Sequence, residues 1–196
     1  MTLSSQLSFI LELDKLKAVQ RKARVRADAN RYENSAEHSW HIAMAAHVLR
    51  EYAEGDVDIN RVVSMLLLHD IVEIDAGDTF AFAEPERLDA QHAQELAAAE
   101  RLFGLLPAAQ GQAYLALWLE FEAAQSVDAC FAKAMDRILP LIQNMQNDGG
   151  SWAQHSVAKS QVLARNRFLA SSAPALWEYA CAQIELACER GWLEDR

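Results

Sequence analysis

Val62-Val63-Ser64-Met65-Leu66-Leu67-Leu68-His69-Asp70-Ile71-Val72-Glu73 is the stretch that decides the fold. Read from Asp58 to about Asp75 it is one helix, apolar nearly all round, and such a helix belongs at the centre of a helical core. Gly77 stands beyond it as a left-handed C-cap. A charge on a helix of this kind has to be paired, hydrogen-bonded or bound to a metal. His69, Asp70 and Glu73 nevertheless emerge from it within a single turn. An imidazole beside a carboxylate is a common ligand pair for a divalent transition metal. It is also a common buried hydrogen bond that merely orders a core, and the dipeptide by itself favours that plainer reading.

Working outward, helices account for nearly the whole chain. A first one covers Ser5 to about Val19, with Leu7, Ile10, Leu11 and Leu16 on its inner face. Gln20 to Asn34 is polar and lacks clean periodicity. Asn34 and Glu37 form a variant capping box, which opens a second helix running to about Tyr52. Pro85 starts a helix to about Phe103; another runs from Ala109 to Ala123 and buries Tyr114, Leu117, Trp118 and Phe121. Ser126 caps a helix that continues to about Asn147, and Asp148-Gly149-Gly150 is a turn. Trp152 to Leu169 and Ala175 to Arg190 close the chain as two helices. No stretch alternates with period two. The expected class is all-α, in one domain spanning 1–196, with the last two helices closing over a core of about 7–147.

Composition narrows the function. Of 196 residues, 28 are acidic and 18 basic, a net charge of −10, which argues against a nucleic-acid polymer as the partner. Cys130, Cys181 and Cys188 lack metal-binding spacing and read as buried free thiols of a reducing, cytoplasmic compartment. Phe9-Ile10-Leu11 is cut short by Glu12 and Asp14, so no signal peptide is expected, and no apolar run is long enough for a bilayer. One local exception to the acidic balance stands out. Seven of the 18 basic residues fall between Lys15 and Arg31, directly before the second helix, and a small phosphate is the partner this favours over a solvated face.

Two further residues extend the His69-Asp70 pair. His38 lies in the first turn of the second helix, and Asp136 lies among Phe131, Ala132, Ile138 and Leu139. His38, His69, Asp70 and Asp136 would supply two nitrogens and two carboxylates from three helices, leaving coordination positions open for water. Pro140 removes the hydrogen bond to the Asp136 carbonyl, so a bend is expected at that site, between the central helices. His41 reads as a neighbour of the ligands or a polar core residue, while His47, His92 and His155 should face solvent.

The series His38 … His69-Asp70 … Asp136 resembles the signature of the HD-domain metal-dependent phosphohydrolases, helical bundles of about six to eight helices. Glu33-Asn34-Ser35-Ala36-Glu37-His38-Ser39 and His69-Asp70-Ile71-Val72-Glu73 with Gly77-Asp78 are similar to the 5′-deoxynucleotidase branch, over roughly Leu7 to Asn147. The resemblance implies one divalent metal (Mn, Co, Fe, Ni, Zn or Mg) on those four ligands, acid/base roles for Glu73 and Asp78, and a homodimer. It implies phosphate release from nucleoside 5′-monophosphates. Arg21, Arg24 and Arg31 are the candidate phosphate ligands. The branch carries a Trp in this stretch that discriminates against a ribose 2′-hydroxyl; Arg24 stands there instead, leaving deoxy selectivity open. Di-iron oxygenases of the fold need two more histidines where only His92 lies, and the Gly-Tyr-Pro mark of cyclic-dinucleotide phosphodiesterases is absent. Hydrolysis of (p)ppGpp or cyclic nucleotides stays open, as does a non-catalytic regulatory module with a structural metal.

Overall fold

The computed structural model describes residues 2–83 and 85–196, with only the backbone for 85–89. Its helices are α1 (Thr2–Leu13), α2 (Ser35–Leu49), α3 (Ile59–Leu68), α4 (Glu73–Ala76), α5 (Pro85–Phe103), α6 (Ala108–Ala123), α7 (Val127–Gln146), α8 (Gly150–Gln154), α9 (Lys159–Asn166), α10 (Leu169–Ser172) and α11 (Pro174–Glu189). The fold is all-α but for one hairpin, and α1–α3, α5–α7 and α11 each have ten residues or more. No helix among the described residues is long and apolar enough to cross a membrane.

Local sequence explains the helix starts. Asn34 accepts from the Glu37 amide at 3.0 Å while the Glu37 carboxylate accepts from the Asn34 amide, a complete capping box. Asp58 caps α3 and Ser126 caps α7 by the N-cap side chain alone, which accepts from backbone amides of the first turn. Gly111 permits α6 to lie against the end of α5, because a Cβ there would meet the Phe103 carbonyl oxygen at 2.3 Å.

Several expectations are corrected. Gln20–Val25 (β1) and Arg31–Asn34 (β2) form an antiparallel hairpin, with Gln20 opposite Asn34 and Arg24 opposite Tyr32. Its period two is hidden because its inward positions include Arg21 and the buried Glu33 rather than apolar side chains. In α1 it is Phe9 that turns inward, with Leu16 beyond it, whereas Leu7, Ile10 and Leu11 are exposed. The central helix is not apolar all round: Leu67 is exposed, and the α-helix tightens into a 3₁₀ turn at His69–Val72 before α4. The first closing helix is three short ones, α8–α10. Trp152 is buried and Trp177 packs partly buried against the core. The three cysteines are free but only half-buried.

Two apolar clusters flank the 3₁₀ turn. One joins Ile42 of α2, Val62, Met65 and Leu66 of α3, and Met135 and Ile138 of α7 with Val162 and Ile184 of the closing helices. The other joins Phe9, Leu68, Ile71, Val72, Phe103 and Trp118. Trp118 Nε1 donates to the His69 carbonyl at 3.2 Å, tying the turn to α6. Replacing fully buried Leu66 by Ala should cost about 2–5 kcal/mol by urea unfolding. Metal content should be retained, because the Leu66 backbone carbonyl, which contacts His69, is still there.

Candidate metal centre

Three segments deliver the charged cluster. The capping box fixes the first turn of α2, and with it His38, which is fully buried. The 3₁₀ turn carries His69 and Asp70, and Asp136 comes from the middle of α7, one helical turn before Pro140. Pro140 sits inside α7 and lines the cavity beside the cluster. Ligand atoms of His38, His69 and Asp136 all lie within 4.8 Å of one another.

The geometry suits a cation. His38 Nε2 is 3.1 Å from Asp136 Oδ1, and His69 Nε2 is 3.8 Å from the same oxygen and 2.9 Å from Asp70 Oδ1. Metal bonds of about 2.0–2.2 Å place neighbouring ligand atoms roughly 3 Å apart, as two of these three separations are. His69 Nδ1 donates to the Leu66 carbonyl at 2.8 Å, which turns Nε2 toward the acids. That Nε2 is buried and has no well-aligned hydrogen bond. A lone pair held among carboxylates in this way fits a divalent metal held by His38, His69 and Asp136, with Asp70 beside them, its Oδ1 toward His69 and its Oδ2 taken by Arg21.

Glu33 is a site residue that the sequence reading missed. Buried at the hairpin's end, its Oε2 lies 3.5 Å from His38 Nδ1 and 3.6 Å from Arg21 Nε, while Oε1 accepts from Gln143 at 2.7 Å. It backs His38 from the side opposite Asp136, as a carboxylate behind a metal-binding histidine does. Its place directly before the capping Asn34, on the inward side of an extended strand, was the available signal.

Charge coupling sets the protonation states. Burial opposes ionisation of Asp136, but His38 and His69 outweigh it and hold the carboxyl well below the ordinary range. Burial likewise disfavours charged His69, yet Asp70 and Asp136 push it up to about 10. Glu73 goes the other way. It is buried, faces the Asp70 charge, and has its carboxyl raised well above the usual 4.5. Ser35 Oγ donates to Glu73 Oε2 at 2.5 Å and keeps it beside α2. Asp78 follows Gly77, whose φ of 74° favours glycine and ends α4; burial and Asp70 raise the Asp78 carboxyl as well. Gln91 of α5 donates to the Gly77 carbonyl at 2.7 Å and accepts from Thr79 at 2.8 Å, so the turn carrying Asp78 is held from outside.

His69, Asp70, Glu73, Asp78, Asp136 and Arg21 all face one cavity of about 400 Å³. Of the candidate phosphate ligands, only Arg21 reaches it, with Nη1 donating to Asp70 Oδ2 at 2.8 Å. Arg24 and Arg31 lie outside its lining. Arg24 donates to the Asn30 carbonyl and to Gln154, and Arg31 forks onto Glu37 at 2.7 and 2.9 Å. In the hairpin Arg24 stands opposite Tyr32 and Arg31 opposite Val25. His41 is exposed against Trp40, so it is neither a neighbour of the ligands nor a core residue. His92 is exposed yet lines the cavity with Glu95 and Glu122. Those two acids are already engaged, Glu122 by Lys133 at 2.7 Å and Glu95 by Gln91 at 3.1 Å.

The HD domain pattern matches residues 13–177. The chain belongs to the HD-domain family. A predicted metal-dependent phosphohydrolase from Magnetospirillum magnetotacticum MS-1 shares 46% identity and a TM-score of 0.92, over 98% of this HD chain and 96% of that one. The human 5′-deoxynucleotidase HDDC2 is 29% identical over 139 residues, 71% of this chain and 66% of that protein, so the match spans slightly under two thirds of the relative. The Pasteurella multocida 5′-deoxynucleotidase PM0747 is 33% identical over 50% of this chain and 53% of its own. The HD domain-containing protein YGK1, at 15% identity and a TM-score of 0.59 over 94% of this chain and 86% of that one, shares the fold.

Proposed function

We propose that this HD-domain chain is a metal-dependent phosphomonoesterase that releases phosphate from nucleoside 5′-monophosphates. The observation that carries the reading is the His38–His69–Asp136 cluster opening onto a cavity that also holds Glu73 and Asp78. A divalent ion on His38, His69, Asp70 and Asp136 would act as a Lewis acid on the phosphoryl group and lower the pKa of water.

The chain's own residues would supply the rest. Glu73, anchored by Ser35, holds the attacking water and accepts its proton as the oxygen bonds to phosphorus. Its raised carboxyl is a stronger base than an exposed one, as that step needs. Asp78, also raised, donates a proton to the 5′-oxygen as its bond to phosphorus breaks. The nucleoside is assigned to the loop after Asp78. Phe80 and Phe82 line the cavity with ring centroids 5.4 Å apart, and His155 packs 4.7 Å from Phe80, an aromatic edge on which a base can stack.

Phosphate release by the full chain, supplied in turn with Mn²⁺, Co²⁺, Mg²⁺ and Zn²⁺, tests this against ribo- and deoxynucleoside 5′-monophosphates, 3′-monophosphates, (p)ppGpp and cyclic nucleotides. Turnover confined to the 5′-monophosphates is expected. Turnover of (p)ppGpp or cyclic nucleotides alone would replace the reading by another hydrolase activity. No turnover, with a fold that melts when metal is removed, would make the metal structural.

A further inference from the structure

Five Lys and Arg side chains line the cavity among the described residues: Lys22 is exposed, with its Nζ 5.7 Å from the Tyr32 ring centroid, and the other four divide into engaged and unpaired. Arg21 is committed to Asp70 and Glu33, and Lys133 to Glu122 and to the face of Phe121, 4.0 Å from the ring centroid. Arg137 of α7 and Arg165 of α9 also line the cavity, and both are half-buried. Among the described residues no carboxylate forms an ion pair with either. Arg165 has one long hydrogen bond, Nη1 to the Ala81 carbonyl at 3.5 Å, and lies 5.9 Å from the centroid of the Phe82 ring.

These two guanidinium groups act on each other. Burial, and next the charge of Arg137, bring Arg165 down to about 9, while Asp136 and Asp78 act in the opposite direction. Arg165 therefore lies within electrostatic reach of both the carboxylate assigned to the metal and the one assigned to the leaving group. Two unpaired like charges in a half-buried wall destabilise the empty site, and an anion between them offsets their repulsion with two attractions. The planar fork of arginine matches phosphate oxygens two at a time.

We infer that Arg137 and Arg165 form the clamp that receives the substrate's 5′-phosphate, supplied by α7 and α9 instead of by the basic stretch Lys15–Arg31. The inference rests on the phosphomonoesterase reading for the name of its ligand, and it gives the closing helices a part in the site.

Inorganic phosphate is the probe, titrated calorimetrically into the full chain, both metal-free and with Mn²⁺, for wild type, Arg165→Ala, Arg165→Lys, Arg137→Ala and Arg167→Ala. Arg167 is exposed and serves as the control for net charge. Phosphate affinity should fall about 10- to 100-fold in Arg165→Ala and Arg137→Ala, and partly recover in Arg165→Lys. Metal content should be unchanged, and KM for a 5′-monophosphate should rise more than kcat falls. Affinity unchanged in Arg137→Ala and Arg165→Lys, or lowered equally in Arg167→Ala, overturns the clamp, even if Arg165→Ala fails to fold. Weakened phosphate binding in a chain that hydrolyses no nucleotide would retain the clamp and remove the phosphomonoesterase reading. Hydrolysis with unaltered phosphate binding in the variants would do the reverse.

Discussion

Glu73→Gln should keep the metal, lose about 10²- to 10⁴-fold in phosphate release, and make the metal-free protein more stable. The rate loss follows from the assigned chemistry: glutamine can hold the water but cannot take its proton, while its amide oxygen still accepts from Ser35 Oγ. The stability gain follows from the carboxyl's position. Glu73 is buried against the Asp70 charge, so its folded pKa stands well above the 4.5 of an ordinary glutamate. A group raised in the folded state contributes its full stability below pH 4.5 and loses it as pH rises toward the folded value. The variant and wild type should therefore unfold at similar urea concentrations near pH 4, with the variant ahead near pH 8, by on the order of 1 kcal/mol. Activity within tenfold of wild type, with metal present, would remove Glu73 from the chemistry. A variant less stable than wild type at pH 8 would mean that the carboxylate is structural.

The helical frame and the convergence of His38, His69 and Asp136 were legible because both depend on short-range pattern. The capping box at Asn34 and Glu37 places the first turn of α2, and hence His38, without any tertiary information. His69-Asp70 stood out because polar groups in an apolar run require partners. Other features depend on distance contacts that periodicity does not carry. The hairpin buries Glu33 and half-buries Arg21, so its alternation is one of charge and has no apolar side to detect. The 3₁₀ turn at His69 adjoins a carbonyl, that of Leu66, taken by an imidazole, and the adjacent Trp118 comes from α6. In α1 a stripe of leucines looked like the inner face, yet the adjoining packing selects Phe9, which meets Phe103 and Tyr114 at 6.4 and 6.2 Å. Arg165 is separated from His38 by most of the chain. Only its arrival in the same cavity gives it meaning.

His69→Ala should bind metal at least about 100-fold more weakly, beyond the 10–100-fold typical of losing a supporting partner, and should show no phosphate release above background. The same substitution tests the electrostatics of the metal-free protein. His69 rises from 6.5 to about 10 because Asp70 and Asp136 outweigh the effect of burial, so at neutral pH the imidazolium balances two buried carboxylates. A group raised in this way stabilises fully below pH 6.5, and that contribution is lost as pH climbs through about 10. Removing it should cost on the order of 3–5 kcal/mol at pH 6, the cost of leaving buried charge unpaired, and visibly less above pH 10. Urea unfolding in chelator at the two pH values measures the difference. Proton and metal then compete for Nε2, so metal affinity of the wild type should weaken as pH falls. If His69→Ala holds stoichiometric metal, or loses equal stability at both pH values, Nε2 is neither the ligand nor the balancing charge. The cluster would then have to be built around His38 and Asp136 alone.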